Sequence, residues 1–237
     1  MKFRALTCIF AMTLFAVLTI PFQLAAQEQE EKKEQKAKHH HYKLIDLGTH
    51  GGPQSFGDPG HGAANINNRG TVVGVADTDT PDPYYPNSNP LITASGPDPF
   101  VYHVFLWKNG SVTDLGSLPG SNSSAASFIT ENGLVSGESL NGAIDPLMGW
   151  PEENAVLWKG GQIINLGTLG GYESGAGRVN SHQQVAGFSG NTVLDPNSLF
   201  GIGTQTRAFL WDEKHGMQDI GTLGGPDAAA PFISLAR

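Results

Sequence analysis

Cysteine is all but missing from this chain of 237 residues, and the single one, Cys8, falls inside the first 26. Everything after that segment lacks a disulfide, a thiol nucleophile and a thiolate metal site. Cations are scarce as well. Residues 42–237 hold eight Lys or Arg against 18 Asp or Glu, a formal −10, and the cations are not clustered. A phosphate-binding face, and with it a nucleic-acid partner, is excluded on that ground. Runs of helical periodicity are absent, as are the Gly-x-Ser-x-Gly elbow, the His-Glu-x-x-His pair and a dinucleotide fingerprint. No lysine follows the "GTLGG" glycines, so they are not a phosphate loop.

The one sustained apolar stretch lies at the start. Lys2 and Arg4 precede an apolar run over residues 5–21, and the small residues Ala25 and Ala26 follow. That order reads as a signal peptide over residues 1–26, and the run is short for an uncleaved membrane anchor. The mature chain is therefore expected outside the cytoplasm, secreted or on the cell surface, with the periplasm as the alternative, and with no membrane span after cleavage. Residues 27–41, "QEQEEKKEQKAKHHH", are charged throughout and contain no aromatic or β-branched residue. They read as a disordered linker, because such a composition buries too little to offset its ordering entropy. His39, His40 and His41 read as its polar end and not as a metal site.

Residues 42–237 are rich in glycine, proline, serine and asparagine, and they repeat. Leu106-Trp107, Leu157-Trp158 and Leu210-Trp211 recur at spacings of 51 and 53 residues. An Asp/Asn-Leu-Gly element recurs at Asp46, Asp114 and Asn165, and with Ile for Leu at Asp219, each copy ending on glycine: Gly48, Gly116, Gly167 and Gly221. A second module alternates with it: "ANINNRGTVVGVA", "SFITENGLVSGES" and "GRVNSHQQVAGFS". Each module reads as a hairpin, with Asn109-Gly110 and Asn132-Gly133 supplying positive-φ turns. Two hairpins per period make four short antiparallel strands in about 50 residues, the size of one β-propeller blade. The units fall at about 63–116, 125–167 and 176–221, with a closing-type strand and loop at 42–62 and a partial unit at 228–237. The "VFLW", "AVLW" and "AFLW" strands do not alternate and so call for burial on both faces. Trp107, Trp158 and Trp211 read as packing between blades. The Asp or Asn before Leu-Gly reads as an acceptor for backbone N–H groups, since the change to Asn165 rules out proton transfer there.

These residues, "HVFLWKNGSVTDLGSL", "NAVLWKGGQIINLGTLGG" and "RAFLWDEKHGMQDIGTLGG", resemble the HAF repeats of bacterial extracellular repeat proteins. The likeness covers nearly all of residues 42–237, although the name-giving His-Ala-Phe is degraded to His103-Val104-Phe105, Asn154-Ala155-Val156 and Arg207-Ala208-Phe209. It implies a propeller-like fold and a secreted or surface location, and no general activity. The all-β expectation is thus an open arc of three blades with partial units at both ends. The strand "YKLIDLG" has no incomplete blade to close, so the chain reads as a truncated family member, with self-association through its open sheet edges.

Function, if anywhere, belongs to the insertions at 77–102, 140–153 and 190–206. Tyr84, Tyr85 and Trp150 are candidates to stack on a glycan or peptide. Asp77, Asp79 and Asp82 are a weak calcium candidate, without the glycine and glutamate of an EF-hand loop; otherwise no cofactor is implied. His61, His103, His182 and His215 share no partner pattern, and Glu152-Glu153 reads as a diverging pair in a loop. The leading expectation is a non-catalytic scaffold whose loops bind a protein or glycan. The alternative is a secreted, glycan-active hydrolase using carboxylates, which requires acids from different blades to converge.

Overall fold

A computed structural model describes residues 42–57, 65–92, 96–120 and 122–235. The signal-peptide and linker readings, His61 and the last two residues lie outside them. The chain divides into two units, Met1–Asp46 and Leu47–Arg237. In the first, the described residues 42–46 are exposed and carry no strand.

The second unit holds three four-stranded antiparallel sheets, and no helix occurs among the described residues. Sheet 1 runs in order through β1 (Gly51–Phe56), β2 (Val72–Pro81), β3 (Phe100–Lys108) and β4 (Ser111–Gly116). Sheet 2 comprises β5 (Ser124–Ile129), β6 (Val135–Ile144), β7 (Pro151–Lys159) and β8 (Gln162–Gly167). Sheet 3 comprises β9 (Gly170–Val179), β10 (Val185–Leu194), β11 (Thr204–Asp212) and β12 (Gly216–Asp219). Each is a simple meander, and none closes on itself.

The turns explain the meander. Asn109 and Gly110 take φ of 50° and 86°, and Gly160 and Gly161 take 60° and 79°, so β3–β4 and β7–β8 are joined by primed two-residue turns. The turns entering β2, β6 and β10 are one residue longer and end on a left-handed residue: Gly70, Gly133 or Gln183. The Asp/Asn-Leu-Gly copies act alike. Asp114, Asn165 and Asp219 accept the N–H of Gly116, Gly167 and Gly221 at 2.7, 2.8 and 2.7 Å, and each glycine has positive φ. Asp46 sits exposed in the first unit.

Two boundaries differ from the sequence reading. "YKLIDLG" forms no strand; the first strand of sheet 1 is Gly51–Phe56, within what reads as a loop. Strand β9 likewise starts at Gly170, inside "TLGG". The cause is close backbone approach. A Cβ on Gly171 would lie 2.6 Å from the carbonyl carbon of Gly190, and one on Gly52 would collide with the Thr78 carbonyl oxygen. The paired glycines are strand starts pressed onto a neighbour, a role indistinguishable from a loop in composition alone.

Sheets pack in chain order: β5 lies against β2 and β3, and β9 against β5, β6 and β7. The same polar bond recurs at both seams. Val104 N–H donates to Ser124 Oγ at 3.1 Å, and Ala155 N–H to Ser174 Oγ at 2.9 Å. Each serine donates onward, to the Gly116 or Gly167 carbonyl. Trp158 packs with Val73, Val104 and Leu118 of the first seam, and Trp211 with Phe128, Leu157 and Phe209 of the second. Trp107, in the first sheet, is only partly buried.

Candidate functional site

The second seam carries an unusual group of acids. Glu138 of β6, Glu153 of β7 and Glu173 of β9 are 2%, 1% and 1% exposed. Glu173 is the hub. Its Oε2 accepts the Glu153 N–H at 2.9 Å and the Asn89 side-chain amide at 2.9 Å, and its Oε1 accepts the Trp150 indole N–H at 2.8 Å. Asn89 comes from the first insertion and also donates to the Pro151 carbonyl at 2.9 Å. The repeat explains where the hub came from. Ser123, Glu173 and Asp227 occupy equivalent positions and accept the N–H groups of Tyr102, Glu153 and Thr206 at 3.2, 2.9 and 2.7 Å. Two of the three copies carry a carboxyl where the first has a hydroxyl, and of these Glu173 is the one fully buried.

Burial dominates the electrostatics of this group. It pushes the Glu173 carboxyl up to about 8, with Asp145 adding to the rise, against the lowering by the bonds from Glu153, Trp150 and Asn89. Glu153 is driven well above the ordinary carboxylate range, first by burial and then by Glu173 and Glu138. Among the described residues its Oε2 finds no hydrogen-bond partner. A carboxyl kept neutral needs no counter-charge, which is how such a group persists without a cation. Raised carboxyls are also what a general acid requires. Here they are sealed: both oxygens of Glu173 are engaged by protein donors, and neither Glu153 nor Glu173 reaches solvent. Acids from two sheets converge, but in packed interior and not across a cleft.

The sequence candidates are dispersed. Asp77 is 0% exposed, accepts the Gln54 N–H at 3.0 Å and is raised by burial and by Asp98. Asp79 faces outward, and Asp82 closes its own turn by accepting the Tyr84 N–H at 2.8 Å. The three do not form a calcium site: among the described residues no group of three or more His, Cys, Asp or Glu could hold a metal. Tyr84 is partly buried beside Val75, Ile92, Tyr102 and Leu140, and the partly buried Trp150 gives its indole N–H to Glu173, whereas Tyr85 is 53% exposed. Glu152 and Glu153 lie on a strand, not a loop; Glu152 turns to Asn141 while Glu153 turns inward. His103 pairs with Asp114 and His215 with Asp212, each dyad standing alone. Burial works to raise Asp114, yet the His103 ring and the Gly116 N–H together hold it below its ordinary value.

The insertions join one another. Asn87 of the first donates to the Gly149 carbonyl of the second at 2.9 Å. A Cβ on Gly203, in the third, would meet Leu147 Cδ1 and Met148 Sδ at 3.2 and 3.3 Å. Across them large apolar side chains stand in solvent: Tyr85 at 53%, Leu147 at 44%, Val193 at 48%, Leu194 at 69% and Leu199 at 56%. Sequence reading missed Glu173 and Asn89 as partners; aligning "SNSSA" (121–125) with "GYESG" (171–175) carried a signal, an acid where its copy has serine. Against family models, curated proteins and solved structures, the chain finds no match.

Proposed function

We propose that this chain is an exported, non-catalytic repeat scaffold of the HAF-repeat type, with its sheets serving as propeller-like blades and its three insertions forming a binding face for a protein partner. The observation that carries the reading is the joined insertion surface with its exposed Leu147, Leu194 and Leu199. Contiguous exposed apolar surface rimmed by polar residues is characteristic of interaction sites. The acid excess of residues 42–237 favours a partner whose rim is basic. The shared seam bonds supply the rigid support that such a face needs.

A photo-crosslinking residue at Leu147 or Leu194 should capture one protein in extracts of the producing cell, whereas one at Val112, on the β4 edge, should not. Leu194→Asp should abolish capture from Leu147. Equal capture from all three positions would overturn the reading. Release of sugar from glycans, lost on Glu173→Gln, would replace it with the hydrolase alternative.

A further inference from the structure

A cavity of about 170 Å³ opens beside sheet 3, separate from the crosslinking positions above. Its walls are almost wholly apolar. Leu91 reaches it from the first insertion, Phe200 from the third, Phe188 from β10 and Phe232 from the segment after β12. Phe188 and Phe200 set their rings 4.5 Å apart at 49°, a tilted pair that forms one wall. Two polar side chains border it, Ser127 and Arg178, and Ser127 is already engaged, donating to Glu138 at 3.1 Å.

Arg178 is the informative member. Its guanidinium carbon lies 5.1 Å from the Phe128 ring centroid and 4.8 Å from that of Phe232, held between two aromatic faces. Among the described residues no carboxylate pairs with it, whereas Arg207 binds Asp219 and Lys159 binds Glu213. In a region with 18 acids and eight cations, a partly buried arginine without an acid stands out. Its planar fork suits a carboxylate, and its position is fixed in advance by the two rings. Apolar cavities of about 150 Å³ lined by aliphatic and aromatic side chains accept a benzene-sized guest.

The geometry points to a binding site for a small single-ring aromatic carboxylate: the ring enters among Phe188, Phe200 and Leu91, and the carboxylate meets Arg178. No reaction is implied, and although Leu91 and Phe200 belong to the insertions, the site needs no protein partner.

Calorimetric titration of the full chain tests it with three probes of equal ring size: benzoate, benzyl alcohol and benzylamine. Benzoate should bind saturably with a dissociation constant in the millimolar range or below, benzyl alcohol at least fivefold more weakly, and benzylamine not at all. Arg178→Gln should weaken benzoate at least fivefold and leave benzyl alcohol unchanged. Phe200→Ala, a change at a partly exposed ring, should weaken both while the unfolding temperature stays that of the parent. No saturable benzoate binding, or binding of benzoate and benzyl alcohol that is alike and indifferent to Arg178→Gln, overturns the assignment.

Discussion

The two seams of this molecule are built to one plan and filled with different chemistry. At the first, the third strand of sheet 1 gives the Tyr102 N–H to the Ser123 hydroxyl; at the second, the equivalent Glu153 N–H goes to the Glu173 carboxyl. The backbone bond is the invariant, and its acceptor is free to change. A hydroxyl can serve two or three partners nearby. A carboxyl, with two oxygens, can gather more, and Glu173 uses that capacity to tie down Asn89 of the first insertion and Trp150 of the second. The repeat therefore supplies the frame, and one substitution in it anchors the insertions.

The largest difference between the seams should appear on removing the two acceptors. Glu173→Ala takes the acceptor from three donors, of which the Asn89 amide keeps its Pro151 bond, and should cost about 3–6 kcal/mol, whereas Ser123→Ala takes it from one and should cost about 1–2 kcal/mol, read from chemical denaturation. The seams should also differ in pH response. Glutamate titrates near 4.5 ordinarily and Glu173 near 8 in the fold, so between these values the folded chain holds more protons than the unfolded one. Stability is then full below pH 4.5 and declines as pH rises towards 8, by up to about 1.4 kcal/mol per pH unit. Glu173→Gln should flatten that decline; an unchanged slope would mean that Glu173 is charged in the fold.

Tryptophan separates the sheets next. Trp158 is 4% exposed in the first seam, and its indole N–H reaches the Gly116 carbonyl at 3.3 Å. Trp158→Ala should cost about 3–5 kcal/mol. Trp107 holds the same place in the repeat but is only partly buried, and Trp107→Ala should cost about 1–2 kcal/mol. Equal losses would show that Trp107 is buried in solution by something further.

Where the two seams are alike, the substitutions should agree. Ser124 and Ser174 each accept a strand N–H and donate to a carbonyl, with distances of 3.1 and 2.9 Å for the first bond and 2.9 and 2.7 Å for the second. Ser124→Ala and Ser174→Ala should each cost about 1–2 kcal/mol and match within about 0.5 kcal/mol. A wide gap would break the equivalence of the two seams.

How much of this was legible follows from what repeats. Strand count, hairpin turns and the Asp/Asn-Leu-Gly acceptors are local features, copied three times, so their spacing reveals them. Gly51–Phe56 escaped because its glycines act through contact with Asp77 and Thr78, more than 20 residues away. Glu173 escaped for a similar reason. Nothing in "GYESG" says that Asn89, 84 residues distant, and Trp150 will meet it. The feature that departs from the repeat is set by long-range packing, which no period announces. Arg178 belongs here too, because Phe128 and Phe232 come to it from outside its own strand.

The smallest effect concerns the turns that enter the second strand of each sheet. All three end on a left-handed residue, with φ of 71° at Gly70, 87° at Gly133 and 65° at Gln183. In each the side chain of the first residue supports the turn: Asn67 accepts the Thr71 N–H at 3.0 Å, Thr130 accepts the Leu134 N–H at 2.9 Å, and Asn180 accepts the Gln184 N–H at 3.0 Å. The third turn thus keeps the geometry while giving up the glycine. A Cβ in this region costs about 1–2 kcal/mol, and glycine costs roughly 0.5–1 kcal/mol in unfolded-state freedom. Gln183→Gly should therefore stabilise the chain by about 0.5–1 kcal/mol, and Gly133→Gln should destabilise it by a similar amount. If Gln183→Gly is instead destabilising, the glutamine side chain contributes to the seam more than its backbone costs, and the third turn is no longer a strained copy of the other two.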